Sequence, residues 1–510
     1  MSESGEHAAI ESHPDANARA ADAAAADDAA RSHPDAAAGA DDARSDTTVE
    51  DPPSIEKQEV PGAAPAPFSA GFFDTDPAGA RARRAYLKMV LPGALAVSVA
   101  IWCVLTIYWG ALWRTFDLVH NLHGCVVDFD GGDVGAAVTQ YMGAIAAKDQ
   151  LTWAVHPAAM YPNGPADLAE AVVQERCWVG IAVNPGASTN LSLAATATDG
   201  AYNGSLAITA YTNEARNENA YSFLILPNVQ TPLQTISAQF ALSYAKTLST
   251  HENLPAIVSQ APQLLTAPVS FTVHNLRPFD IAVAAAVDFV GLIYLLILSF
   301  IISGQHFGAR LAAGLQRRLA LRPLLVLRVV APLLTYFWVS LMYSLLSLAY
   351  LVPFGRTFGK AGFVIYWMMS FCAMSALGLA LEVMVTLLTM RFVPFFLILW
   401  IISNVSVSYY PIEVLPGVFR YGYASPFYNV SRTVRTILFN TKNERASLPL
   451  LFPPLRVMLI LVMVLAVGLN FGVQLAWVGV SLITLPLAQA FVRRRDVAQW
   501  RKEQAARGGA

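Results

Sequence analysis

Met89-Val-Leu-Pro-Gly-Ala-Leu-Ala-Val-Ser-Val-Ala-Ile-Trp-Cys-Val-Leu-Thr-Ile-Tyr-Trp-Gly-Ala-Leu112 is a run of 24 residues without a charge. As a helix it is about 36 Å long, enough to cross ~30 Å of hydrocarbon. Arg81, Arg83, Arg84 and Lys88 precede it, and basic flanks of this kind mark the cytoplasmic side. Tyr108, Trp109 and Trp113 close its far end as an interfacial aromatic belt. The apolar pattern then breaks from Trp113 to Asp280 and resumes to Phe491. Five later spans are expected near 281–303, 329–351, 363–389, 392–409 and 470–491. The chain therefore reads as an α-helical multi-pass membrane protein with six transmembrane helices, one plus five. An α+β extracytoplasmic domain, 113–280, lies between the first and second.

Charge supports that partition. The 510 residues sum to −2, yet residues 1–80 carry 17 Asp/Glu against 4 Lys/Arg. That acidic, Ala-rich segment cannot bury enough apolar area to offset its ordering entropy, so a disordered cytoplasmic tail is expected. Residues 113–280 carry 13 acids and 6 bases. The loop 304–328 holds Arg310, Arg317, Arg318, Arg322 and Arg328 and no acid, and the tail 492–510 opens on Arg493, Arg494 and Arg495. Both read as cytoplasmic. The arginines flank apolar spans instead of lining a soluble face, which excludes a nucleic-acid footprint.

Within 113–280, Cys125-Val-Val-Asp128-Phe-Asp130 reads as a strand closing on Gly131-Gly132. Runs 205–211, 222–226 and 269–273 also read as strands, and 232–249 as a helix. Asn190, Asn203 and Asn429 each begin a glycosylation sequon. Cys125 and Cys177 are the domain's two cysteines, and an oxidising compartment would allow them to pair. Two features resist the topology. The loop 410–447 is basic although it falls outside, and Leu448–Leu469 is a further apolar run long enough to cross.

The stretch Asn404–Asn443, with Tyr410, Pro411, Glu413, Pro416, Gly417, Arg420, Pro426, Asn429, Arg432 and Arg435, resembles the fungal nitrosoguanidine-resistance family of membrane proteins. Four other words agree: Tyr108-Trp-Gly110, Val127-Asp-Phe-Asp130, Glu214-Ala-Arg-Asn-Glu218 and Arg277-Pro-Phe-Asp280. The likeness covers about 85–500. It implies kinship with the permease halves of type-2 ABC exporters, and a re-entrant 410–443 segment whose apolar face enters lipid while Arg and Tyr stay at the headgroups. It also implies toxic-compound resistance, a plasma-membrane location with both termini cytoplasmic, and, by analogy, a homodimer. In such sequences the Asn-Thr-Lys-Asn word runs almost directly into Leu-Asn-Phe-Gly. Here about 24 residues intervene, so 445–468 is expected to be an insertion, with a translated intron as one source.

No catalytic constellation, nucleotide loop, cofactor motif or metal-ligand set is legible. The nearest phosphate-loop look-alike, Gly355–Lys360, has too few residues between its glycines and no hydroxyl after the lysine. Glu382 and Asp288 lie within apolar spans. A carboxylate there costs about 2.5–3.5 kcal/mol to insert and faces a bundle interior or a water path. The expected function is permease-like export or rearrangement of amphiphiles or phospholipids, with no enzymatic activity. The alternative is a scaffold or regulator whose outer domain binds a partner or lipid.

Overall fold

The run that begins at Met89 lies in one long helix, α1 (Pro77–Leu112), whose most apolar window has no residue buried within the protein. Its side chains are left for lipid, and its backbone satisfies itself as a membrane requires. The computed structural model describes residues 71–442, except 74 and 251, and 468–508. It divides into two compact units, Met1–Arg83 and Arg84–Ala510; the sheet and the later helices lie in the second. Residues 1–70 of the expected tail 1–80 and nearly all of the expected insertion 445–468 fall outside the described residues, and α1 begins within the rest of that tail at Pro77.

After α1 the chain builds a five-stranded sheet in the order β2-β1-β3-β4-β5. The strands are β1 (His123–Asp128), β2 (Thr152–His156), β3 (Val179–Val183), β4 (Ile208–Thr212) and β5 (Phe271–Asn275). All pairings are parallel except β3–β4. Helices α2 (Asp133–Gly143), α3 (Pro165–Val173), α4 (Ala187–Ala197) and α5 (Leu226–Leu248) alternate with the strands. This alternation around a mostly parallel sheet is an α/β arrangement, not the expected α+β one, because parallel neighbours require crossover connections. Period-two side chains separate the faces. Val126, Ile181 and Val183 pack with Val134, Val138 and Val229, whereas Cys125, Val127 and Ala182 pack with Leu168 and Val172. A Cβ on Gly180 would lie 2.8 Å from Leu168, so glycine lets α3 approach β3.

Several expected elements shift. The run 222–226 is helical, its core part a π-turn at Tyr221–Ile225. A short apolar run cannot be told from a buried helix by periodicity. The run 205–211 starts as a turn, Gly204–Leu206, before β4. The strand expected to run to Asp130 ends at Asp128, whose Oδ1 accepts the Asp130 and Gly131 amides at 2.9 Å.

The membrane portion contains α6 (Ala284–Asp288), α7 (Val290–Ala312), α8 (Leu321–Ala349), α9 (Ala361–Val405), α10 (Pro426–Phe439) and α11 (Gly468–Gly508). Five described helices, α1, α7, α8, α9 and α11, are long and apolar enough to cross a membrane. As one rod, α9 would be about 68 Å long, roughly twice the hydrocarbon core. It breaks instead at Thr389, whose φ of 62° is outside the helical region, a costly conformation for a β-branched residue. The arms 361–388 and 390–405 measure about 42 and about 24 Å.

Candidate functional site

The patterned words of the sequence converge on one collar where the sheet domain meets the bundle. Glu214–Glu218 follows β4, Arg277–Asp280 follows β5, and the 404–443 segment returns from α9 into α10. Asn404 Oδ1 starts α10 by accepting the Ser425 hydroxyl at 2.7 Å and the Phe427 amide at 3.3 Å, and Pro426 supplies a fixed φ at the first turn. Asn217 Nδ2 donates to Tyr409 O at 3.1 Å, and Asn121 Nδ2 to Glu413 O at 3.0 Å. The Tyr108 ring meets Tyr409, centroids 6.5 Å apart, and the Phe279 ring meets Phe439 at 4.9 Å.

Charge is matched within the collar. Arg435 pairs with Glu218 at 2.5 Å and with Asp288 at 2.7 Å, and donates to Ala215 O at 3.1 Å. Arg432 pairs with Glu175. Arg216 lies 3.4 Å above the Trp178 ring and donates to Cys177 O at 3.1 Å. Arg356 forks onto Asp280 at 2.6 and 2.9 Å. Burial pushes the Glu175 carboxyl up, but Arg216, Arg432 and Lys442 outweigh it and hold it below the ordinary carboxylate value. Burial likewise opposes the Arg435 charge, and Asp288 and Glu218 overcome that opposition. Between these groups lies a cavity of ≈ 40 Å³ lined by Trp178, Arg216, Glu413, Tyr428, Arg432 and Arg435, room for about three waters.

A second charged centre lies inside the bundle. Glu382 on α9 is 0% exposed, Arg310 on α7 4% and Arg328 on α8 1%. Both guanidiniums converge on one oxygen, Glu382 Oε2, at 3.1 Å from Arg310 and 2.8 Å from Arg328. Arg328 also donates to Glu382 O at 2.9 Å, to Thr386 Oγ1 at 2.6 Å and to Gln489 Oε1 of α11. The cluster thus ties four helices together. Glu382 Oε1 and Arg310 Nε are buried without a hydrogen-bond partner.

The other expected residues distribute as follows. Cys125 and Cys177 form a disulfide with Cα atoms 5.9 Å apart. Asn190 and Asn203 are exposed, although Asn203 Oδ1 caps the turn at Ser205. Asn429 is not available to a glycan: it is 2% exposed, and its Nδ2 donates to Tyr423 O and Ser425 O at 3.0 and 2.8 Å. Of the expected lipid-facing segment 410–443, α10 does not turn its apolar face outward, whereas Val418, Tyr421 and Tyr423 before it are exposed. In α10, Phe427, Val430, Val434, Ile437 and Leu438 pack into the bundle core. Half-buried Arg432 and buried Arg435 both meet carboxylates, and for Arg435 the reason is that a buried guanidinium needs an anionic partner. That pairing gives two of the loop's basic residues acidic partners within the protein. Arg420, Gly417 and Pro416 stay at the periphery, whereas Tyr410, Pro411 and Glu413 line the cavity. Arg310, Arg328, Gln489, Glu175 and Trp178 were not singled out as site residues; the two arginines served only as markers of the cytoplasmic side.

These features define a helical integral membrane protein with a sheet domain inserted after its first span. The chain belongs to the family described as protein of unknown function (DUF3533), whose model matches residues 94–483 and so takes in both the sheet domain and the bundle. It is similar to an uncharacterized endoplasmic reticulum membrane protein of Saccharomyces cerevisiae, 24% identical over 475 residues, covering 87% of this chain and 86% of the relative. No solved structure matches it.

Proposed function

We propose that this chain is a permease-like membrane protein that exports or rearranges amphiphiles or phospholipids, and that it confers tolerance of toxic compounds by doing so. The observation that carries the reading is the Arg310–Arg328–Glu382 cluster, a charged centre within an otherwise apolar bundle. Ionisable groups buried inside a membrane bundle often mark substrate or ion pathways, and this cluster sits near one end of the bundle. The resemblance to nitrosoguanidine-resistance proteins and to type-2 permease halves supports the same reading. In this proposal the two arms of α9 cross separately, giving six spans. The termini and the loop 304–328 face the cytoplasm, and the sheet domain faces the lumen or exterior. The yeast relative is named for the endoplasmic reticulum membrane, and a disulfide suits that lumen as well as the cell surface. Either membrane fits, and a fluorescent fusion distinguishes them. Homodimerisation is part of the proposal by analogy to type-2 permeases.

The ion-paired collar, with a cavity of only ≈ 40 Å³, favours a second reading, a scaffold or regulator that moves nothing. Vesicles holding only the purified chain separate the two. Labelled phospholipid should cross faster than in protein-free vesicles. Equal rates with and without a proton gradient, and no excess over protein-free vesicles, would replace the transport reading with the scaffold.

A further inference from the structure

We propose that Arg310, Arg328 and Arg493 form a headgroup site for an anionic phospholipid of the adjoining leaflet, whose phosphate competes with Glu382 for Arg310. The inference rests on the amphiphile-handling reading and names the substrate class of its charged centre.

Charge is the first argument. Two buried guanidiniums share one carboxylate oxygen, and among the described residues Glu382 is the sole carboxylate paired with either. Guanidinium does not release its proton in proteins, so the pair keeps a positive surplus in a poorly solvated place. Arg493 adds to it. It lies one turn beyond Gln489 on α11, and residues four apart share a helix face; Gln489 Oε1 accepts from Arg328. Asp496, the next acid along α11, is exposed.

Unfilled bonding capacity is the second. Arg310 Nε and Arg493 Nη1 are buried with no hydrogen-bond partner, and so is Glu382 Oε1. Buried donors of this kind are normally satisfied. A tetrahedral phosphate offers several acceptor oxygens at once, and the planar fork of arginine matches it in a bidentate way.

Depth is the third. Arg310 lies in the last turn of α7, and Arg328 is two turns into α8. Both sit near the helix ends joined by the loop that also carries exposed Arg317 and Arg318, and exposed Arg322 lies in the first turn of α8. This is headgroup level, where such a field gathers anionic lipid. A phosphate on Arg310 would leave Glu382 to Arg328 alone and release the α7–α9 tie, so binding loosens one end of the bundle while the collar holds the other.

The test uses the full chain in a neutral detergent, with dioctanoyl phosphatidic acid, dioctanoyl phosphatidylcholine and inorganic phosphate as probes. Saturable binding of phosphatidic acid is expected, with neither of the other probes matching it. Arg310→Gln should weaken that binding ~10-fold or more, the loss expected for a charge-assisted contact. Glu382→Gln should tighten it by removing the competitor, and Lys246→Gln, on the exposed sheet domain, should leave it alone. If Arg310→Gln does not fold, Arg310→Lys keeps the charge without the fork and should still weaken binding. Equal binding of phosphatidylcholine, equal binding of inorganic phosphate, or unchanged affinity in the folded Arg310 variant overturns the site. Headgroup-selective binding without flux in vesicles leaves the site standing and removes the transport reading instead.

Discussion

The collar and the intramembrane cluster are both knots of arginine and carboxylate, but they are balanced differently. In the collar no ion-paired guanidinium shares its acid with another: Arg432 meets Glu175, Arg435 meets Glu218 and Asp288, and Arg356 meets Asp280, while Arg216 stacks on Trp178. In the cluster two guanidiniums crowd one oxygen of Glu382 while its other oxygen stays free. A matched knot has little to gain from a newcomer, whereas a mismatched one gains a counter-ion. The difference fits the proposal above, in which the collar holds the sheet domain on the bundle and the cluster answers a ligand.

The sharpest way to break that contrast is to remove one arginine from each. Arg435→Ala strands Glu218 and buried Asp288, and the loss of one partner from a buried pair costs about 3–5 kcal/mol. Arg310→Ala removes surplus charge and leaves Glu382 held by Arg328, so a penalty of about 1 kcal/mol is expected, that of an ordinary hydrogen bond. Thermal unfolding of the two purified variants in the same detergent gives the comparison. A larger loss at Arg310 than at Arg435 would reverse the assignment of roles.

The disulfide comes next in size. Cys125 and Cys177 lie 52 positions apart and join β1 to the residues just before β3, beside the Arg216–Trp178 stack. Replacing both with Ser should cost about 2–4 kcal/mol and act on the collar side alone. Proteolysis of the double variant should therefore cut first within 113–280, with the helices of the cluster protected. Simultaneous cleavage of both parts would show that the two are not independent.

Much of the collar was legible because its words are polar, aromatic and rich in Pro, an unusual mixture between apolar spans. What a sequence does not carry is pairing. Arg310 and Arg328 stood in a loop without acids and read as topology markers, since their partner lies 54 or more positions away on α9. The amphipathic pattern of α10 was visible, but amphipathicity does not say whether the polar face meets water, headgroups or another domain. The central strand β3 was missed although Val179-Gly-Ile-Ala-Val183 is a continuous apolar run closed by Asn184-Pro185-Gly186. A strand buried on both faces lacks the alternation that reveals an edge or surface strand. The break of α9 at Thr389 was legible as the boundary between the expected spans 363–389 and 392–409, although neither Gly nor Pro occupies it.

A gentler probe of the collar is pH. Glu175 is held below the ordinary carboxylate value in the folded chain by its three cationic neighbours. A depressed folded value contributes stability that is complete above the unfolded value of 4.5 and is lost as pH falls through the folded one. Unfolding midpoints measured from pH 7 downward should therefore fall in the acid range, and Glu175→Gln should flatten that fall. A variant that keeps the full acid slope would remove Glu175 from the collar's electrostatics.

The smallest effect separates burial from mere proximity. Arg356 and Asp280 make the best-shaped fork in the collar, two bonds at 2.6 and 2.9 Å, yet their side chains are 39% and 45% exposed. Water and salt screen such a pair, and exposed pairs contribute about 0–1 kcal/mol. Arg356→Gln should thus shift the unfolding midpoint barely, and less still at high salt, despite geometry better than that of Arg435. The reason is that Asp280 keeps its hydration when the partner leaves, whereas Asp288 has none to recover. A loss as large as that of Arg435→Ala would mean that fork geometry, not desolvation, holds the collar.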